Sequence, residues 1–190
     1  MTTQTTTRWF HRLVRWMKQK DQKIIAAWEA KHNQKYDPMR WEEYLNPPKT
    51  WIRIIPDRET NEPYLIRHYF INLRPLMRIV IHKFEKSDTD GGLHDHPWLF
   101  FGSWILEGGY WEHTETGKHW RSKGSIGFYG RRHFHRVELD KEKNPGETWT
   151  MFLMGPIVQD WGFKPFGTND WIQWKQYLRS RKERSSTKYD

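Results

Sequence analysis

Two histidine pairs carry the clearest chemical signal in the chain. His94 and His96 lie in GGLHDHPWLFFGSWIL (91–106), and His133 and His135 lie in HFHRVEL (133–139). In an extended strand, residues two apart project to the same face. Each pair therefore presents two imidazoles side by side, an arrangement that chelates one ion. Imidazole suits Fe, Zn, Ni or Mn, and with 0 Cys in the chain any metal must be held by nitrogen and oxygen. If both runs face one cavity, three or four imidazoles converge there. A lone His-x-His is ordinarily a surface or core feature, whereas two on separate strand-like runs point to a metal centre. His82 lies on an earlier run with no histidine partner close in sequence.

Alternation counted from the first pair places Trp98, Phe100, Gly102, Trp104 and Leu106 on its face. Val137 and Leu139 share the His135 face. The expected cavity is strongly aromatic and suited to excluding water and stacking planar ligands. Trp98 and Phe100 are its candidate walls, while Trp104, Leu106 and Leu139 read as barrel core. Arg131 and Arg132 directly precede the second pair and are candidates for binding an anionic substrate by charge-assisted hydrogen bonds. Tyr110 and Glu112, after the Gly108-Gly109 turn, are candidate acid/base groups at the rim. Asp95 points away from the pair's face, so it could act only by orienting a histidine. Trp161-Gly162-Phe163 is expected to pack the barrel end.

The elements that position these residues read as strands. WIRIIP (51–56), YLIRHYFINL (64–73), LMRIVIHKF (76–84), WLFFGSWIL (98–106), GSIGFY (124–129), HFHRVEL (133–139) and TWTMFLMGP (148–156) are rich in β-branched and aromatic residues. Turn-forming clusters separate them, which argues for an all-β sandwich or barrel. Ahead of them, 7–33 reads as an amphipathic helix, capped by Thr6 or Thr7, with an apolar stripe of Trp9, Leu13, Trp16 and Met17 followed by Ile24, Ile25 and Trp28. A short helix is expected from Asp170 to Arg181, and the end RKERSSTKYD reads as disordered. The chain thus divides into a basic helical extension (1–48), a β-barrel (49–175) and a basic tail (176–190).

Composition bounds the function. A length of 190 residues suits one domain. The absence of cysteine excludes a disulfide scaffold and a thiol nucleophile. No apolar run approaches the ~20 residues that span a bilayer. The start MTTQTTTRWFHR lacks the apolar core of a secretory signal, so a soluble cytoplasmic protein is expected. The net charge of +9 sits at the ends: +6 in 1–40, +4 in 171–190 and −1 between. The basic helix can pack on the barrel with its charges solvated, lie on an anionic membrane surface, or bind nucleic acid. Nucleic acid would engage Arg8, Arg12, Arg15 and Lys18, with Trp9 or Trp16 stacking on bases.

On these residues the chain resembles the cupin superfamily. His94-Asp95-His96 matches the HxH of the first cupin motif, and Gly108 suits its closing glycine. Gly130-Arg131-Arg132-His133 matches the GxxH of the second motif, and His135 stands where divergent members carry the metal-binding histidine. More closely, LHDHPW, GGYWEH, HRVEL, the strand ending MGP and DWGF look like a family of cupin-like proteins of bacteria and phages, over 76–175. The resemblance implies a double-stranded β-helix (jelly-roll) barrel, a divalent metal and often a homodimer, in the bacterial cytoplasm or a phage-infected host cell. Two departures stand out. Phe100 and Phe101 occupy the place of the motif glutamate, and Phe128 that of the second-motif proline. The implied site is therefore His94, His96 and either His135 or His133, or all four. Such a site is similar to the three-His iron centres of cysteine dioxygenase-like cupins. Fe(II) is the first expectation, with Zn, Mn or Ni as alternatives. The implied function is a mononuclear non-haem iron dioxygenase acting on a small molecule, and isomerase-like chemistry would share the site. The alternative is a metal-free cupin-like interaction module, a phage accessory or nucleic-acid-associated protein.

Overall fold

The computed structural model describes residues 3–57 and 60–186. Among these described residues, a helix α1 (Thr3–His32) and a 3₁₀ turn (Pro38–Glu43) precede twelve strands. These are β1 (Ile52–Pro56), β2 (Pro63–Leu73), β3 (Met77–Phe84), β4 (Gly92–His94), β5 (Phe100–Glu107), β6 (Gly109–Thr114), β7 (Gly117–Ser122), β8 (Ile126–Gly130), β9 (His135–Glu138), β10 (Thr148–Met154), β11 (Gly162–Pro165) and β12 (Ile172–Gln173). Helix α2 (Trp174–Ser186) follows. One antiparallel sheet runs β1-β2-β3-β10-β5-β8 and the other β12-β11-β4-β9-β6-β7. Within β3 to β10 the chain steps back and forth between the sheets, giving the orders 3-10-5-8 and 4-9-6-7. That is the strand order of a jelly roll, the double-stranded β-helix.

The centre of the first sheet, β3 and β10, is buried on both faces, which explains the nearly continuous apolar reading of β3. Its inner face places Val80, Phe101, Phe152 and Met154 against Trp98, while Phe84 and Ile105 meet Tyr110 and Val137. Its outer face carries Ile81, Leu106 and Trp149, which Phe10 and Val14 of α1 cover. Helix α1 is therefore part of the core rather than an extension. Asp21 fixes it further by accepting the backbone N–H groups of Trp51 (2.7 Å) and Ile52 (2.8 Å) at the start of β1.

Several expectations are corrected here. Met17 of the expected stripe is buried and Leu13 packs against the core, but their buried companions are Phe10 and Val14, whereas Trp9 and Trp16 are 47% and 42% exposed. The helix starts at Thr3, ahead of the expected cap at Thr6 or Thr7. The expected disordered tail is helical to Ser186, because Tyr177 anchors α2 by stacking on Phe163 at 4.4 Å; residues 187–190 lie outside the described residues. Trp104 and Leu106 are core, but on the α1 side of the sheet rather than inside the barrel.

Candidate metal centre

Two strands of the second sheet bring the histidines together. β4 and β9 pair antiparallel with His94 directly opposite His135. Gly92 permits the neighbouring β4–β11 pairing, since a Cβ there would stand 2.4 Å from the Lys164 carbonyl oxygen. His96 follows just beyond the end of β4. The ring centroids of His94, His96 and His135 lie 5.1 Å apart on all three sides. One nitrogen from each ring falls within 4.8 Å of the others.

Glu112 of β6 organises this cluster. Its side chain is 2% exposed and accepts from His135 Nδ1 (3.0 Å), His133 Nε2 (3.2 Å) and Arg121 Nε (2.8 Å), with the Tyr129 hydroxyl at 3.3 Å. Burial alone would raise its pKa. The hydrogen bonds from His133 and His135, the nearby His135 and the Arg121 bond outweigh that and hold the carboxyl far below the usual carboxylate range. An ionised carboxylate only accepts, so the His135 Nδ1 carries the hydrogen, and in the neutral ring Nε2 is the nitrogen left with a lone pair toward the triad. That Nε2 stands 2.9 Å from His96 Nε2. Burial, then the neighbouring His94 and His135, hold the His96 ring well below the ordinary histidine value, so it is neutral at pH 7.

The donor set fits a divalent ion. Two donors each about 2.1 Å from one ion and at right angles are separated by about 3 Å, which the His96–His135 spacing matches. His133 belongs to a second group, with Glu112 and His135, rather than to the triad. It stacks on Tyr129 at 4.0 Å.

The triad opens on a cavity of about 340 Å³ between the sheets. Trp98 stacks on His96 at 4.8 Å and lines this cavity with Phe152, Phe84 and Trp161. The far wall, from the first sheet, contributes Arg67 and His82; Asp57, Asp88 and Asp90 also line the space.

The other expected site residues fall elsewhere. Phe100 stacks on Phe128 at 5.4 Å, outside the cavity, and Phe101 turns inward instead, its ring 4.6 Å from His96. Alternation fails across 95–99 because β4 ends at His94 and β5 begins at Phe100, leaving a loop that resets the register. Tyr110 is buried core, hydrogen-bonded to Ser103 at 3.4 Å, rather than a rim group. Glu112 is interior as well. Arg131 is exposed, and Arg132 lines a separate recess with Glu112 and His133. Among the described residues Asp95 bonds no histidine ring: it accepts from Gly162 N at 2.7 Å, at the junction of β4 and β11. Phe163 packs against His94 (6.1 Å), so the WGF segment supports the site as well as the barrel end. Sequence reasoning missed Arg67, whose only signal is its place on a strand beside the one bearing His82.

No protein-family model matches the chain, and no curated protein matches it. Solved structures similar to it are cupin and RmlC-like double-stranded β-helix proteins. KdgF from Halomonas sp. is 20% identical, over 51% of this chain and 84% of its own, with a TM-score of 0.41. An RmlC-like cupin protein from Ralstonia eutropha is 14% identical, over 70% and 83%, with a TM-score of 0.44. A conserved protein with a double-stranded β-helix domain from Klebsiella pneumoniae is 13% identical, over 58% and 89%, with a TM-score of 0.43.

Proposed function

We propose that the chain is a mononuclear metal enzyme, with His94, His96 and His135 holding Fe(II), that oxidises a small molecule in the adjoining cavity. The observation that carries this reading is the equilateral triangle of imidazoles opening on that cavity. Bound iron would supply one-electron redox chemistry with dioxygen as the oxidant. The protein's own groups do the rest. Glu112 keeps the His135 ring aimed and, in the neutral ring, keeps the hydrogen on Nδ1. Arg121 and Tyr129 hold Glu112 in turn. Trp98, Phe101 and Phe152 pack around His96 and exclude water from that side of the site. The test is metal analysis after anaerobic iron reconstitution. One iron per chain, lost in His94→Ala and His96→Ala, is the expected result; no bound metal in the parent protein overturns it, and retention of zinc in preference to iron overturns the oxidative chemistry.

A second reading assigns the outer face of α1 to nucleic acid. It rests on the exposure of Arg8, Arg12, Arg15 and Lys18 beside the exposed indoles of Trp9 and Trp16. Replacing the three arginines by glutamine leaves Phe10, Val14 and Met17 in place, so folding is retained. DNA or RNA binding should then weaken, and in the parent protein should fall steeply with salt. Salt-insensitive or absent binding removes this reading.

A further inference from the structure

We infer that Arg67, set by His82 on the cavity wall facing the histidine triad, binds an oxyanion, so that the ligand of the cavity is a small molecule bearing a carboxylate or phosphate group. The inference rests on the reading of the triad and cavity as the active site.

Arg67 and His82 are direct partners across the β2–β3 pairing, and both line the cavity. Arg67 Nε donates to His82 Nε2 at 2.9 Å. An accepting Nε2 requires a neutral imidazole, and the complete burial of His82, followed by the charge of Arg67, keeps it neutral. The usual partner of a half-buried guanidinium is a carboxylate. Here it is a neutral ring, which orients the fork without cancelling its charge.

The acids around the cavity are engaged elsewhere. Asp88 accepts from the Val137 backbone N–H at 2.7 Å and from the Tyr64 hydroxyl. Asp57 accepts from the Thr60 backbone at 2.8 Å and from Thr89 at 3.2 Å. Asp90 stands 3.6 Å from the Arg181 guanidinium. Among the described residues no carboxylate lies within salt-bridge distance of Arg67, and its terminal nitrogens make no hydrogen bond. Two N–H donors in a fixed fork are what a carboxylate or phosphate accepts bidentately.

Two further features point to the same ligand. The indole Nε1 of Trp98 is buried without a hydrogen-bond partner, a second unmet donor on a residue lining this cavity. Arg78 lies over the Trp98 ring at 5.9 Å and adds positive potential on the same side. Its neighbours include Arg67, which, after burial and Arg74, contributes to lowering its pKa. The oxyanion role that the sequence suggested for Arg131 and Arg132 passes to a residue inside the barrel.

The test titrates benzoate and inorganic phosphate into the parent protein, Arg67→Gln and Arg67→Lys, each with and without reconstituted iron, by calorimetry. Iron content and thermal unfolding are measured on the same samples. The parent should bind at least one probe. Tighter benzoate binding assigns a carboxylate ligand, and tighter phosphate binding a phosphorylated one. Arg67→Gln should keep its iron and lose at least about tenfold in affinity, the scale of one charge-assisted pair. Arg67→Lys should fall between. Unchanged affinity in Arg67→Gln, or no binding of either probe to the parent, overturns the inference. Absence of iron with Arg67-dependent binding intact would instead remove the metal reading and leave the subsite standing. If Arg67→Gln does not fold, a Lys variant that binds as tightly as the parent overturns the inference.

Discussion

Buried histidines occupy two regions of this barrel under opposite rules. His68 lies on the outer face of the first sheet beneath α1, packed against Trp149 at 5.6 Å. Its Nδ1 is 3.2 Å from the Ile81 carbonyl oxygen, and its Nε2 has no partner among the described residues. His96 lies inside the barrel among His94 and His135, with nitrogens converging. Burial holds both rings below the ordinary histidine pKa. Lowered basicity therefore does not separate a working imidazole from a packing one. Convergence of nitrogens, and a carboxylate that fixes a tautomer, do.

Four experiments test that contrast. The largest expected effect is on metal content: His94→Ala and His96→Ala should abolish it, whereas His68→Phe should leave one ion per chain. Loss of metal in His68→Phe, measured by elemental analysis, would dissolve the distinction. Next, Phe10→Ala, next to the packing region, should cost about 3–5 kcal/mol in denaturant unfolding without changing metal content per folded chain.

The third is pH dependence. Burial, opposed only by the Ile81 carbonyl, pushes His68 down to about 4, with Lys18 and Lys83 adding to the shift. Between pH 4 and the ordinary value near 6.5, the unfolded chain binds a proton that the folded chain does not. The stability from this group is complete above the upper value and lost as pH falls toward the lower one. The shift corresponds to about 3 kcal/mol. Unfolding followed across that window should show this slope in the parent and a flatter one in His68→Phe. The smallest effect is expected for Glu112→Gln, which weakens the hold on the His135 tautomer and should lower metal affinity by about 10–100-fold. An unchanged affinity would mean that the triad needs no carboxylate behind it.

The sequence made some of this legible because the period of a strand is local. The His-x-His pairs are visible in their spacing and the strand runs in their alternation, which argue for an all-β sandwich or barrel; the jelly roll itself is what the cupin resemblance implies. What stayed hidden depends on partners distant in sequence. Glu112 reads as a rim acid until β7, β8 and the segment before β9 bring Arg121, Tyr129 and His133 to it. Arg67 has no signature until β2 is set in register with β3. Strict alternation misses the inward residue of β5 by one position, because five loop residues, 95–99, interrupt the strand. On α1 two apolar stripes compete, and the bulkier indoles lose: Trp9 and Trp16 keep partial solvent contact while Phe10, Val14 and Met17 fill the groove over the sheet.

The Asp21 bonds to the start of β1 have a consequence for how this protein can vary. They lock one side of α1 to the barrel and leave the charged side outside the fold's own requirements. Lysines and arginines on that outer side can be exchanged, reversed or decorated with little disturbance to the cavity below. The helix thus separates two design problems in one element, an inner face that only packing can dictate and an outer face open to adaptation toward whatever surface it meets.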